Sequence, residues 1–274
     1  MAKAAIQLVE QKARKKAPQK DRQFVTALAR GLDILRCFSR HNPVLGNAEI
    51  AQRARLPKPT VSRLTHTLTT LGYLEYSPDS GKYSLSAGVL ALGYSYLASL
   101  DVREIARPLM QELANYAQAT VSLGARDQLH MVFLEVCQGS QMFHMRMEVG
   151  ARVPHGTTAM GRAYLCALPE EERQARIEQY RKITTREEWE NLKASLEKAY
   201  RDYQKYGFCL SLGDWNKDVY AVGVPMVSRD GKRILAFNCS GPIFDMTRQK
   251  LIQDIGPRLV QLRDKVYAAT HGNF

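Results

Sequence analysis

Three observations predict an α+β protein of two domains. Residues 47–85 run in the order helix, turn, helix, hairpin; residues 86–100 are apolar on almost every side; and helices alternate with strands from residue 101 onward. The expected architecture is an N-terminal winged helix-turn-helix domain over 23–85, a linker helix over 86–100 and a mixed α/β domain with a central sheet over 101–274. At 274 residues and 45% apolar content the chain can bury two cores.

Met1 to Arg22 carries Lys12, Arg14, Lys15, Lys16, Lys20 and Arg22 with little apolar periodicity after Val9. It reads as a basic flexible arm, either tracking phosphates or merely solvated. Gln23 to Phe38 follows as a helix with Leu28, Leu32, Leu35 and Phe38 on one face, expected to pack under the second helix of the turn motif. Asn47 is the expected cap of a short helix through Ala54, whose apolar stripe is Ile50, Ala51 and Ala54. Pro57 and Pro59 sit where proline is tolerated at a helix start. Val61, Leu64, Leu68 and Leu71 then recur at steps of three, four and three, which predicts one buried face. Opposite that face lie Ser62, Arg63 and His66, with Thr60 and Thr67 on its flanks. Gly72 ends the helix. Tyr73 to Tyr76 and Lys82 to Leu85 are strands joined at Pro78-Asp79-Ser80-Gly81, the wing.

This order points to DNA. A helix entering the major groove needs small or long polar side chains near its N-terminus, and Ser62, Arg63 and His66 meet that need. Arg63 is the expected base reader, since a guanidinium can grip a guanine edge with two hydrogen bonds. Lys58, Thr60, Thr67 and the wing residue Lys82 are the expected phosphate contacts. Charge agrees: residues 1–100 hold 15 Lys or Arg against 6 Asp or Glu, whereas residues 101–274 hold 24 against 21. A basic patch draws a phosphate backbone by counterion release and adds affinity without sequence information.

Ser86 to Leu100, with Ser86 as possible cap, carries Val89, Leu90, Leu92, Tyr94, Tyr96, Leu97 and Leu100. A helix apolar all round must be covered on more than one face, as at a dimer interface. Beyond it, Arg103 to Gln118 reads as a helix, Thr120 to Arg126 and Leu129 to Glu135 as strands turning at Asp127-Gln128, and Met142 to Glu148 as a third strand. Gly150 to Ala163 leads into a helix N-terminus with Thr157 as expected cap, a place ready for an anion because its N–H groups and dipole point outward. His155, Arg152 and Arg162 around it favour an acidic ligand. Charged helices at Pro169 to Tyr180 and Arg186 to Lys205 precede strands at Gly207 to Ser211, Val219 to Val227 and Ile234 to Ser240, the last two joined at Arg229 to Lys232. A helix from Thr247 to Tyr267 closes the domain.

Other chemistry has weaker support. Cys37, Cys137, Cys166, Cys209 and Cys239 are odd in number and never paired as CxxC, as expected of reduced thiols in a cytoplasmic protein. His130, His144 and His155 lack metal-ligand spacing, so no metal and no cofactor is expected. No apolar run reaches the ~18–20 residues of a membrane span, and no signal peptide is evident. Asp214, His155, Cys209 and Ser240 form no recognisable catalytic set, and no GxSxG, P-loop, dinucleotide fingerprint or HExxH occurs. No catalytic residue is assigned.

From about Phe24 onward the chain resembles the IclR family of bacterial transcriptional regulators. The resemblance rests on LPKPTVSRLTHTLTTLGYLEY (Leu56 to Tyr76), YSLSAGVLALG (Tyr83 to Gly93), VGARVPHGTTAMGRAYL (Val149 to Leu165) and FNCSGPIFDMT (Phe237 to Thr247), in the family's order. It implies a C-terminal GAF-like effector domain, a homodimer or tetramer paired through the linker helix, and control of operator binding by a small organic effector, acidic or aromatic. The effector site it implies comprises Thr158, Met160 and Gly161, then Ser211, Asp214 and Ala221, then Asn238 and Ser240. Ala221 stands where some relatives have a thiol, and Asn238 where they have a serine. The alternative is a DNA-binding oligomer whose large domain takes no ligand; for Asn238 and Ser240 it is a role in satisfying backbone groups at a strand end.

Overall fold

The computed structural model describes residues 23–140 and 147–274, which divide into two compact units, 23–99 and 100–274. The basic arm and most of the strand expected at Met142 to Glu148, with His144, lie outside the described residues.

The first unit contains α1 (Thr26–Leu35), β1 (Val44–Gly46), α2 (Asn47–Ala54), α3 (Lys58–Thr70), β2 (Leu74–Ser77), β3 (Lys82–Leu85) and α4 (Ala87–Ala98). Its core joins Ile34, Phe38, Leu45, Ile50, Val61, Leu68 and Leu74. The expected α1 stripe is corrected: Leu28 is 63% exposed and Leu32 is also exposed, while Gly31 and Ile34 face inward. Together with Phe24 and Val25 they leave an uncovered apolar strip. On α3 the buried line is Val61, Thr65 and Leu68, and Leu71, the helix C-cap, is exposed. Thr65 tolerates burial because its hydroxyl donates to the Val61 carbonyl at 3.0 Å.

Asn47 is not the cap of α2. Gly46 takes that position, its N–H donating to the Glu49 carboxylate at 2.8 Å, and the Asn47 side chain instead lies 3.4 Å from the Thr65 hydroxyl. Arg55 makes the turn into α3 with a left-handed backbone at φ 56°. The wing is a three-stranded antiparallel sheet in the order β1-β3-β2, one strand more than the sequence reading found, with Tyr76 opposite Tyr83. In α4 the N-cap residue Ser86 makes no side-chain cap bond, and no residue is buried; Leu90 is 72% exposed.

The second unit contains α5 (Asp101–Ala117), β4 (Thr120–Asp127), β5 (His130–Gln138), β6 (Arg152–Pro154), α6 (Ala159–Ala167), α7 (Glu170–Arg181), α8 (Arg186–Tyr206), β7 (Cys209–Leu212), β8 (Val219–Val227), β9 (Ile234–Pro242), a short α9 (Arg248–Lys250), a π-helical turn at Leu251–Ile255 and α10 (Gly256–Ala269). The final helix is therefore interrupted where one unbroken helix was expected. Gly207 ends α8 at φ 76° and does not open a strand.

All six strands pair antiparallel in the order β6-β5-β4-β9-β8-β7, the GAF-like sheet. Its central strands are buried almost without interruption because helices cover both faces. One face meets α5 and α10, where Arg258 lies 3.9 Å from the Tyr116 ring centre and ties the two helices. Glu135 on β5, itself buried, receives Arg103 at 2.8 Å and Arg107 at 2.5 Å from α5.

The other face lies against α6, and the approach is close. A Cβ at Gly223 of β8 would stand 2.4 Å from the Ala159 backbone, and one at Gly161 of α6 would stand 2.2 Å from His155 Cα. Gly223→Ala should lower the unfolding free energy by about 3 kcal/mol or more, since the obstruction is backbone that cannot rotate away. Urea unfolding of the full chain checks this; an unchanged midpoint would show that α6 can back off the sheet.

Candidate functional site

On α3 the side chains of Lys58, Ser62, Arg63, His66 and Thr67 are exposed and Thr60 is partly so. Arg63 and His66 lie on the side opposite Val61, Thr65 and Leu68, with Ser62, Thr60 and Thr67 on its flanks and Lys58 in the first turn nearer the buried side, so burying one side of the helix orients the other outward. The Thr67 hydroxyl donates to the Arg63 carbonyl at 3.0 Å. Lys82 stands on β3 with its ammonium 3.6 Å from Glu49. The Gly46 N–H and the Lys82 charge hold the Glu49 carboxyl below the usual carboxylate range. Lys82 is therefore exposed but paired.

In the second unit a cavity lies between the sheet and the start of α6. Strand register builds one wall: Ser211 pairs with Ala221, Ala221 with Ser240 and Ser240 with Thr120, so small side chains line up across four strands. Asn238 pairs with Gly223 in the next row. The cavity is lined by Thr158, Ser211, Ala221, Asn238 and Ser240 together with Phe133, Met147, Val153, Ala159, Trp215 and Val219, and its volume is about 30 Å³. Thr158, not Thr157, caps α6: its hydroxyl accepts from the Gly161 N–H at 3.2 Å and donates to the Pro154 carbonyl at 2.6 Å. The Thr157 carbonyl accepts from Ser211 at 2.8 Å, fixing the loop to β7.

Three of the expected effector residues are placed otherwise. Met160 is buried, with its sulfur against Gly124; Gly161 provides the close approach to His155; and Asp214 is held by Arg162 at 2.9 Å. None of the three lines the cavity. The aromatic and aliphatic walls at Phe133, Val153, Trp215 and Val219 were missed, because a period of two gives a strand's inward face but not which inward residue stands beside which.

Arg162, expected beside the anion-ready loop to favour an acidic ligand, is instead engaged within the protein. It is 3% exposed. Its guanidinium donates to the Gly156 carbonyl at 3.0 Å, the Leu210 carbonyl at 2.7 Å and Asp214 at 2.9 Å, and to the Ser195 hydroxyl. Burial would raise the Asp214 carboxyl, but the hydrogen bond and charge of Arg162 outweigh it and hold the group below its ordinary value. Arg152 pairs with Asp127 at 2.9 Å. Among the described residues no charged side chain lines the cavity; its polar groups are hydroxyls, one amide and the first turn of α6.

His155 is fully buried against Tyr164, with ring centres 4.9 Å apart, and neither ring nitrogen has a partner among the described residues. Burial pushes its imidazole down to about 3; burial, with the Arg152 charge, pushes His130 down to about 4. Both folded values lie below the unfolded value of ~6.5, so the unfolded chain binds the extra protons. The stability is present above pH 6.5 and is lost as the pH falls toward 4. His155→Phe, which keeps the ring contact, should remove about 1.4 kcal/mol per pH unit of that slope below pH 6.5. Unfolding free energies of both proteins at pH 7, 6 and 5 check this, and parallel slopes would contradict it.

Comparison with known proteins follows the same division. The helix-turn-helix domain model of the IclR family matches residues 27–78, and the model for the C-terminal domain of bacterial IclR regulators matches residues 94–267. The chain is 37% identical over 247 residues to the HTH-type transcriptional regulator TsaQ1/TsaQ2 of Comamonas testosteroni, covering 89% of this chain and 88% of that one. The crystal structure of an IclR family transcriptional regulator from Brucella abortus superposes with a TM-score of 0.86 at 48% identity, over 94% of this chain and 97% of that one. An IclR homologue from Microbacterium hydrocarbonoxydans, solved with 4-hydroxybenzoate, shares the fold with a TM-score of 0.68 at 20% identity, over 88% and 99% of the two chains.

Proposed function

Because this chain belongs to the IclR family of bacterial transcriptional regulators, we propose that it is a cytoplasmic, operator-specific regulator whose DNA affinity is set by a small organic acid bound between α6 and the sheet. The Comamonas and Brucella relatives are transcriptional regulators. The observation that carries the DNA half is the outward polar face of α3. Ser62 lets the backbone approach, Arg63 and His66 reach base edges, and Lys58, Thr60, Thr67 and Lys82 hold phosphates. The uncovered apolar strips of α4 and α1 support pairing of two chains, as a dimer or as half of a tetramer, which would set two α3 helices on a near-palindromic site.

The lining supports an aromatic monoacid as effector. Phe133 and Trp215 offer ring contacts, while Thr158, Ser211, Asn238, Ser240 and the α6 N-terminus can receive one carboxylate or hydroxyl. With Arg162 and Arg152 engaged elsewhere, no cation among the described residues lines the cavity to receive a second carboxylate. That a fold relative carries 4-hydroxybenzoate fits this class. An apolar cavity that takes benzene measures ~150 Å³, so an occupant must displace wall side chains, and the partly exposed Trp215 and Met147 are the candidates to move.

Two experiments test the halves separately. Arg63→Ala should cost about 1–3 kcal/mol on cognate operator and relax preference at one base pair, whereas Lys82→Ala should weaken all sequences alike. Anisotropy titrations on cognate and scrambled duplexes decide, and an equal loss on both for Arg63→Ala removes its base-reading role. For the cavity, one aromatic monoacid in a panel that includes 4-hydroxybenzoate should raise the melting temperature of the full chain by roughly 5 °C at 100-fold excess over Kd. Ala221→Leu should abolish that rise while leaving the unliganded melting temperature within a few degrees. A panel without any shift would favour the ligand-independent reading.

A further inference from the structure

Two thiols outside the cavity meet where α6 and β7 touch. Cys166 Sγ lies 3.6 Å from Cys209 Sγ, and both are reduced. Cys209 is fully buried, packed with Ala163 and Ala199, and its single thiol hydrogen is within reach of either Cys166 Sγ or the Ala199 carbonyl, the latter also at 3.6 Å. Cys166 is partly exposed and lines a second, solvent-open cavity of about 560 Å³ between α6, α7 and α8, with Arg162 and Arg173 also in its wall. The pair thus has one accessible and one protected sulfur, which is the arrangement stepwise thiol oxidation needs.

We propose that Cys166 and Cys209 form a peroxide-sensitive dithiol, with Cys166 the sulfur that meets the oxidant and Cys209 the one that resolves it into an intramolecular disulfide. In the first step the Cys166 thiolate attacks one oxygen of hydrogen peroxide. The S–O bond forms as the O–O bond breaks, hydroxide leaves and takes a proton to become water, and Cys166 is oxidised to the sulfenic acid. In the second step Cys209 sulfur attacks Cys166 sulfur. The S–S bond forms as the S–O bond breaks, and the Cys209 proton leaves with the departing oxygen as a second water.

Electrostatics assign the two roles in the same direction. The thiol hydrogen bond from Cys209, with the Arg173 and Arg162 charges, lowers the Cys166 thiol below its ordinary value against the effect of burial, whereas burial raises Cys209 well above its own. The reactive species is the thiolate, so the accessible sulfur is also the more reactive one. A disulfide requires ~2.05 Å between sulfurs, so the 3.6 Å gap closes by side-chain rotation together with any approach of α6 to β7 that the bond demands. β7 also carries Ser211, which lines the first cavity and holds the Thr157 carbonyl, so oxidation would reach the effector site through one strand.

The test treats the full chain with a small excess of hydrogen peroxide, blocks remaining thiols and digests with trypsin. The expected product joins peptides 163–173 and 206–217, two hydrogens lighter than their sum, and dithiothreitol reverses it. Cys209→Ser should accumulate sulfenic acid on Cys166 that dimedone traps, and Cys166→Ser should leave Cys209 unmodified. In a Trp189→Phe background the emission of Trp215 should shift on oxidation. Absence of the joined peptide from folded protein, or over-oxidation of Cys166 without it, overturns the proposal; a joined peptide with unchanged Trp215 emission overturns the link to the cavity.

Discussion

The second unit depends on how closely α6 lies on its sheet. Gly223 and Gly161 leave no side chain between α6, the strand beneath it and the His155 loop beside it. That contact brings the helix N-terminus within reach of β7, β8 and β9, and it places Arg162, one turn into the helix, where its fork meets the carbonyls of Gly156 and Leu210 and the carboxylate of Asp214. A buried guanidinium is tolerable only when its donors are satisfied, and here neutral carbonyls, a hydroxyl and one carboxylate share the task. The result is a strut between the loop before α6, the end of β7 and α8. With this strut in place, strand register sets the sheet wall of the cavity, and the start of α6 and the loop carrying Trp215 close it.

The same economy governs the first unit. Burying Val61, Thr65 and Leu68 leaves the remaining side of α3 in solvent, and residues selected for small size, reach and hydrogen bonding occupy it. Its scaffold is slight: one short helix, a three-stranded sheet and α1 supply the core. The apolar surfaces of α1 and α4 go uncovered within this unit, which is why pairing of two chains is proposed.

Much of this was legible in the residues. Capping signals, prolines and turn residues located α2, α3 and the wing; the turns at Asp127-Gln128 and Arg229 to Lys232 located the strand pairs β4–β5 and β8–β9. What failed had physical causes. Asn47 and Thr157 are good cap residues, but their neighbours Gly46 and Thr158 occupy the cap positions, and a one-residue choice between adjacent caps is made by tertiary packing. Leu28 and Leu71 are apolar by type yet exposed, since periodicity identifies a stripe without saying whether the chain itself covers it. The short β1 carries no alternation to read. For the cavity, Thr158, Ser211, Ala221, Asn238 and Ser240 could be named from motif resemblance, but Phe133 and Trp215 come from distant elements that only the register brings together. Arg162 reads as a cation offered to an acidic ligand because sequence shows its charge and not the acceptors around it.

The central claim is that an acid held beneath α6 and DNA held by α3 are thermodynamically linked. The direct measurement is the operator Kd of the full chain, by anisotropy at fixed salt, with and without a saturating aromatic acid that has been shown to bind it. The account predicts a change of roughly 5-fold or more, in either direction, that Ala221→Leu abolishes, since a ligand shifts an equilibrium only by its differential affinity for the two states. An acid that binds with full occupancy and leaves the operator Kd unchanged would contradict it.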